Sequence, residues 1–393
     1  MGIQILKTTC IVLVGFYLIR TLIGHILTWY YFSHHDRFCP RSGYAPTVSV
    51  IKPVRGLDQL ALDNFRSFCK QEYQNHYEIL FCVENREDPV VPVIERLINE
   101  YPDKDIRLVF SVLKGAHSVG KMKNMITGFA ESQGDVIVFS DSDVHVPPTF
   151  ISNVVACTEN PDIGLGFSAP AYQGSRDCAS AMLSIAVNEA VLNVTPLCLL
   201  GMYNRALGMT MVVRRDVLEE IGGLEQFGHE LGDDVALARA IHEKGYRIHL
   251  LKEPARIFHV RDTFAKAWCH ALRWLVSIRH YSPITVYLAA LADLPLVWSL
   301  LYLTISLLED GKAKTGLLLV GTAVLARLIS IAVINVKFVH DKKLWAFIWV
   351  APILDFFKVP LLIYSFMTNE IVWRGRKVRI EPDCTAAYFR QER

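Results

Sequence analysis

The sequence predicts an α/β domain built on a Rossmann-like, mostly parallel sheet and held between membrane-associated ends. Three observations lead there. Short apolar runs alternate with helix-patterned segments from residue 46 to about 260, as strands joined by crossover helices do. Hydrophobic residues make up 52% of the chain and mean hydropathy is +0.27. The excess gathers in the first thirty residues and the last hundred or so, not in the middle. The apolar run Val136, Ile137, Val138, Phe139 ends at Asp141 and Asp143, two acids that are costly to bury unless paired or metal-bound. The open end of a parallel sheet is where ligands bind.

At 393 residues the chain has room for one large domain or two ordinary ones. A net charge of +2 gives no global reason to expect nucleic acid as a partner. The nine cysteines are scattered, without a Cys-x-x-Cys pair. That fits reduced thiols in a cytosolic compartment better than a disulfide framework or a zinc site.

Residues 1–45 hold a transmembrane anchor: 3–32 are apolar and close on Trp29, Tyr30, Tyr31 and Phe32, aromatic residues suited to an interface. Arg20 interrupts the span and either snorkels, shortens it or meets a polar group on another helix. His34, His35, Arg37 and Arg41 follow, which under the positive-inside tendency puts the next domain in the cytosol. Residues 46–265 form that domain. Strands are expected at 47–51, 77–83, 106–112 and 136–139, and helices at 60–69, 91–100 and 121–131. Residues 266–282 read as an amphipathic helix on the membrane surface, with Trp268, Leu272, Leu275 and Val276 beside Arg273, Arg279 and His280.

Three apolar stretches, 284–308, 316–336 and 344–367, make residues 283–370 transmembrane or re-entrant. They are interrupted by Asp293 and Pro295, by Arg327, and by Asp355, Lys358 and Pro360. Three complete crossings would leave the tail on the far side, so one stretch is expected not to cross. Residues 371–393, with Trp373-Arg374-Gly375-Arg376-Lys377, read as a basic cytosolic tail.

Four segments carry the chemistry. Glu84 and Asp88 follow the second strand, where a carboxylate can accept from a uracil N–H; a polar loop with a helix start is the other reading. Lys121 and Asn124 open a helix, where an ammonium and helix-start amides suit a diphosphate or make a solvated basic turn. Asp141 and Asp143 offer hard oxygens to Mg2+ or Mn2+, which would bridge phosphates, with His259 a candidate further ligand. Asp233 and Asp234 precede a helical run. One would cap the helix while the other faces the cleft as a general base, its pKa raised by its neighbour and a partly dry site. Beyond them, Arg273 offers a guanidinium for phosphate and Trp274 an indole for a ring.

An aspartate after the second strand, Asp141-Ser142-Asp143, Asp234 before a helix and Arg273-Trp274 resemble the processive-type family 2 glycosyltransferases. Finer details are similar to the ceramide glucosyltransferase family, family 21, in a bacterial-type form. They are Ile51-Lys52-Pro53-Val54-Arg55-Gly56, Glu87-Asp88-Pro89, Lys121-Met122-Lys123-Asn124 and Trp373-Arg374-Gly375. The resemblance covers nearly the whole chain. It implies a GT-A fold on a membrane platform that moves a sugar, glucose first, from a UDP-sugar to a lipid hydroxyl.

Carried over by position, it makes Asp88, Asp141 and Asp234 the three family aspartates, with Asp234 the base and Asp233 beside it. Arg273 and Trp274 end the family's arginine–tryptophan motif, and Pro53 joins Glu84, Asp88, Lys121, Asn124 and Asp141 in nucleotide binding. His270 stands where Gln or Arg is usual, and Asp143 where animal members have Gly. Both departures are similar to bacterial members, hopanoid N-acetylglucosaminyltransferases among them. The expected protein is an integral, multi-pass membrane enzyme with a cytosolic catalytic domain, a lipid acceptor and Mg2+ or Mn2+ as cofactor. Hopanoid or diacylglycerol acceptors are the nearest alternatives, and a non-catalytic nucleotide-binding membrane protein is the more distant one.

Overall fold

The structure is a computed structural model that describes residues 1–35, 43–111, 120–230, 232–259, 263–281, 284–373, 376–380 and 386–388. Arg37, Arg41, Val112, Arg374 and Gly375, invoked above, lie outside these residues. In chain order the helices are α1 (Gly2–Ser33), α2 (Ala61–Cys69), α3 (Val91–Glu100), α4 (Gly120–Glu131), α5 (Phe150–Val155), α6 (Cys178–Asn188), α7 (Ala190–Leu199), α8 (Arg215–Glu220), α9 (Asp233–Glu243), α10 (Phe264–Tyr281), α11 (Ile284–Ala292), α12 (Pro295–Asp310), α13 (Lys314–Ile334) and α14 (Val350–Met367). The strands are β1 (Val48–Val54), β2 (Tyr77–Val83), β3 (Asp105–Phe110), β4 (Val136–Ser140), β5 (Val144–His145), β6 (Ile163–Phe167), β7 (Pro170–Gln173), β8 (Thr210–Arg214), β9 (Arg247–Leu250), β10 (Ala255–Phe258), β11 (Glu370–Trp373), β12 (Arg376–Ile380) and β13 (Ala386–Tyr388).

The main sheet has the order β3-β2-β1-β4-β8-β6-β9. β8 runs against β4 and β6, and the other pairings are parallel. β1, β2 and β4 are near-continuous apolar runs because both of their faces are covered. Val48, Val50, Ile79 and Val138 meet Phe65, Phe68 and Ile94 on one side; Ile51, Leu80, Ile137 and Phe139 meet Met122, Met125 and Ile126 on the other. The strand order reverses between β1 and β4, so their carboxyl ends diverge into a crevice, the usual ligand site of such sheets. A small sheet, β5-β10-β7, flanks that crevice, and β11-β12-β13 form a third sheet near the carboxyl terminus.

The second core face is continuous with the apolar helices. Ile331, Ile334, Val350 and Leu354 belong to the same cluster as Ile137 and Phe139. Among the described residues four helical segments are long and apolar enough to cross a membrane: Gly2–Ser33, Cys178–Leu199, Lys314–Val339 and Val350–Met367. α12 runs antiparallel to α1, with Lys7 paired to Glu309 near one end and Arg20 to Asp293 near the other. α13 runs alongside α1 in the same direction, since His25 meets Ser330 and Phe32 meets Phe338. α14 takes a different course. Its Leu361 packs with Leu272 and Val276 of α10 and with Ile371, Val378 and Ile380 of the terminal sheet.

The charges that interrupt the apolar stretches find one another. Arg327 pairs with Asp355 at 2.8 Å and with Glu189, all three deep in the protein. Lys358 lies 3.3 Å from Glu189 and 3.4 Å from Asp293, and Arg20 reaches Asp293 and Asn193. Of the three sequence readings of Arg20, the polar contact with another helix is the one observed. Three cations and three carboxylates balance, so no one of these charges is left uncompensated away from water. Glu189 and Asn193 come from α6–α7, an apolar insertion that joins the α/β domain to α1; Gly24 faces the Leu192 backbone there, and an added Cβ would lie 3.0 Å from its oxygen.

Candidate active site

β4 delivers Asp141 to the crevice, where its amide donates to the Met209 carbonyl at 3.0 Å. Opposite stands Lys121, in the first turn of α4. Its Nζ lies 3.0 Å from Asp141 Oδ1 and 3.1 Å from Asp233 Oδ2, and it donates to the Gly208 carbonyl at 3.1 Å. Burial works against this ammonium, but Asp141, Asp233 and Asp234 outweigh it and hold its pKa well above the ordinary lysine value.

Asp233 and Asp234 point different ways, and neither caps the helix, whose N-cap is Gly232. Asp233 turns to Lys121, while Asp234 Oδ2 accepts from the Gly208 amide at 2.7 Å and Oδ1 from the Val235 amide at 2.9 Å. Burial, and then the Asp233 carboxylate, raise the Asp234 pKa to about 6; Lys121 and the two amides pull the other way. Gly208 permits this approach, because a Cβ there would sit 3.0 Å from Asp234 Oδ2.

Lys52 was missed from the sequence. Its ammonium lies under the acidic turn, donating to the Asp141 carbonyl at 2.9 Å and to Ser140 Oγ at 3.3 Å, with the Phe68 ring 3.7 Å away. Burial lowers its pKa to about 7 against the pull of Asp141 and Asp143. The available signal was a lysine inside the apolar run of β1.

Glu84 and Asp88 line a second recess of about 460 Å3 with Arg55 and Lys123. Glu84 faces the start of α4: a Cβ on Gly120 would lie 3.5 Å from its Oε2. Asp88 is turned to the backbone, accepting from the amides of Gly56 at 2.9 Å and Val90 at 3.0 Å. Gly56 has φ +72°, which glycine adopts at little cost. Asp88 therefore holds the loop after β1, while Glu84 is the freer carboxylate of the pair. Pro53 is half-buried in β1. Asn124 is a correction to the nucleotide-binding set: it is buried, donates to the Val54 carbonyl at 3.3 Å and accepts from Ser111, so it braces strand ends instead of facing a ligand.

The remaining candidates form a separate aromatic group. His259 packs on Tyr172 with ring centroids 5.0 Å apart, Tyr172 meets Trp274 edge-on at 6.2 Å, and Trp274 meets His270 at 4.2 Å. Arg273 lies 3.3 Å from His270. Asp143 immediately precedes β5, which pairs with β10, and β10 leads into His259. Among the described residues no three His, Cys, Asp or Glu side chains converge as a metal cage. Asp141, Asp143 and His259 are thus not assembled as one ligand set; the hard donors at the crevice are the carboxylates alone.

A family model described as glycosyl transferase family 21 matches residues 9–386. The chain belongs to glycosyltransferase family 21. It is 26% identical over 265 residues to "Ceramide glucosyltransferase 3" of Caenorhabditis elegans, covering 65% of this chain and 56% of that relative. It is 24% identical over 366 residues to "Ceramide glucosyltransferase 1" of the same organism, covering 91% of this chain and 76% of the relative. Among solved structures it is similar to "Mannosyltransferase PcManGT from Pyrobaculum calidifontis in complex with GDP-Man and Mn2+", at 16% identity and a TM-score of 0.49 over 90% of this chain and 98% of that one.

In this family 21 glycosyltransferase the α/β domain carries a mostly parallel sheet with the crevice at its carboxyl end. The crevice brings Lys121, Asp141 and the adjacent Asp233 and Asp234 together from three parts of the sequence. The arrangement offers a positive charge at Lys121, a hard oxygen for a cation at Asp141, and at Asp234 a carboxylate whose pKa is raised to about 6.

Proposed function

We propose that this family 21 glycosyltransferase is an inverting enzyme that moves glucose from UDP-glucose to the hydroxyl of a membrane lipid of the ceramide type. The observation that carries the reading is the half-buried Asp234 carboxylate across the crevice from Lys121, with both oxygens held by backbone amides and its pKa raised to about 6. In the proposed step the lipid hydroxyl gives its proton to Asp234, and its oxygen bonds to the anomeric carbon from the face opposite the phosphate. The bond from that carbon to the β-phosphate oxygen breaks, UDP leaves, and the product is a β-glycoside. Asp141 and Asp143 are the hard oxygen donors for Mg2+ or Mn2+, which when bound supplies Lewis-acid stabilisation to the leaving diphosphate. Lys121 adds a fixed positive charge, and Glu84 would accept from the uracil N–H.

The relatives' names support the lipid and the sugar, and the apolar helices support a membrane-borne acceptor. We infer a catalytic domain facing the cytosol, with α10 and its Arg273 and Trp274 meeting the lipid headgroup. The test is transfer from labelled UDP-glucose and UDP-N-acetylglucosamine to ceramide, hopanoid and diacylglycerol in membranes containing the wild type or Asp234→Asn. A labelled ceramide, absent with Asp234→Asn, is the expected result. Label in hopanoid or diacylglycerol would move the acceptor, and transfer undiminished by the substitution would remove Asp234 from the base role.

A further inference from the structure

A cavity of about 780 Å3 is distinct from the crevice: of the candidate site residues only His259 lines it. It lies between α2, the ends of β7 and β10, and the turn at residues 340–343 that follows α13. Its charged walls are Arg66, Lys70, Arg176, Lys342 and Lys343 against Asp63 and Asp341. Arg66 is held by both oxygens of Glu100 and lies 3.7 Å from Asp63, so that pair adds little field. Asp341 is occupied internally: Oδ2 accepts from the Ser175 amide and hydroxyl, each at 3.1 Å, and Oδ1 from the Lys343 amide at 2.9 Å. Lys70, Arg176, Lys342 and Lys343 remain as cations around one concave space.

The turn that carries the two lysines is held firmly. Asn335 bonds both the carbonyl and the amide of Asp341 at 2.9 Å, and Gln173 donates to the Val339 carbonyl. His340 has φ +63°, the one positive φ outside glycine among the described residues, and such a conformation persists only where its surroundings enforce it. The height of the turn is also marked. The exposed apolar series Leu325, Ile329, Val333 and Val336 ends just before it, and the exposed Trp345 and Trp349 begin just after it. Lys342 and Lys343 stand between an apolar stripe and interfacial tryptophans, the level of lipid phosphates.

We propose that this cavity binds the phosphate headgroup of an anionic glycerophospholipid, with Lys342, Lys343, Arg176 and Lys70 as its cationic walls. The site is independent of sugar transfer and is tested without it. The full chain is purified in a neutral detergent and its thermal unfolding followed with dihexanoyl phosphatidic acid, dihexanoyl phosphatidylcholine or inorganic phosphate. Phosphatidic acid is expected to raise the midpoint by roughly 3 °C, phosphatidylcholine not at all. The double variant Lys342→Glu/Lys343→Glu is expected to weaken the apparent affinity about tenfold or more while unfolding like wild type without lipid. Lys312→Glu/Lys314→Glu, at the far turn between α12 and α13, is expected to keep it. Should the first variant fold poorly, Lys70→Glu, just after α2, is expected to give the same weakening. Equal protection by inorganic phosphate would keep the cavity but overturn the lipid as its source. Equal protection by phosphatidylcholine, or an unaltered response of the Lys342/Lys343 variant, would overturn the site.

Discussion

The backbone amide of Gly208 donates to Asp234 Oδ2 at 2.7 Å, and no side chain fits between them. A methyl group on residue 208 would press on the carboxylate at 3.0 Å. Gly208→Ala is therefore expected to displace Asp234 and lower the transfer rate by about tenfold or more, since small errors in placement are costly. UDP binding should hold within about threefold. Steady-state rates with a UDP-binding isotherm check this.

Asp234→Asn removes the proposed base and should lower the rate by roughly 10²–10⁴-fold with UDP binding retained. In the wild type the rate should fall as pH drops through about 6, where Asp234 takes up a proton. The stability effect has a definite sign. The folded pKa lies above the ordinary 3.8, so the folded state holds the proton more tightly. That contribution is present below pH 3.8 and is lost as pH rises through about 6. The stability of the wild type relative to Asp234→Asn should decline between pH 4 and pH 7, which melting curves across that range would register.

Lys121 depresses the Asp234 pKa from across the crevice. Lys121→Met should move the acid limb of the rate profile to higher pH and weaken UDP binding, because Asp141 and Asp233 lose their shared ammonium. A profile that keeps its midpoint would separate Lys121 from Asp234.

Arg327 and Asp355 are both fully buried and 2.8 Å apart. Arg327→Met leaves that carboxylate uncompensated and should destabilise the protein by about 3–5 kcal/mol. Adding Asp355→Leu should restore much of the loss, because Glu189 and Asp293 still have Lys358 and Arg20. Melting temperatures of the three proteins in one detergent would measure it.

Much of the α/β domain was legible because its strands are apolar runs and its helices amphipathic. β2 and α3 stand at the boundaries that periodicity indicates, and β1 extends three residues past its expected end to Val54. α6–α7 was not separated from the domain, since its composition is that of any buried helix; what makes it an insertion is its packing on α1. Arg20, Asp293, Arg327, Asp355 and Lys358 each stood out in the sequence as charges in apolar stretches. Their pairing did not, because the partners are 28 to 273 residues apart. The candidate site shows the same limit. Carboxylates at strand and helix ends could be read one by one, but the Lys121 bridge from Asp141 to Asp233 depends on the sheet order, and Lys52 was hidden inside a strand.

The most direct measurement is mass spectrometry of lipids from a host that makes no glycolipids and is supplied with ceramide, expressing the wild-type chain or Asp234→Asn. One new β-glucosylated lipid with the wild type, absent with the variant, is the result expected here. No new glycolipid at normal expression levels, or the same lipid from both, would contradict it.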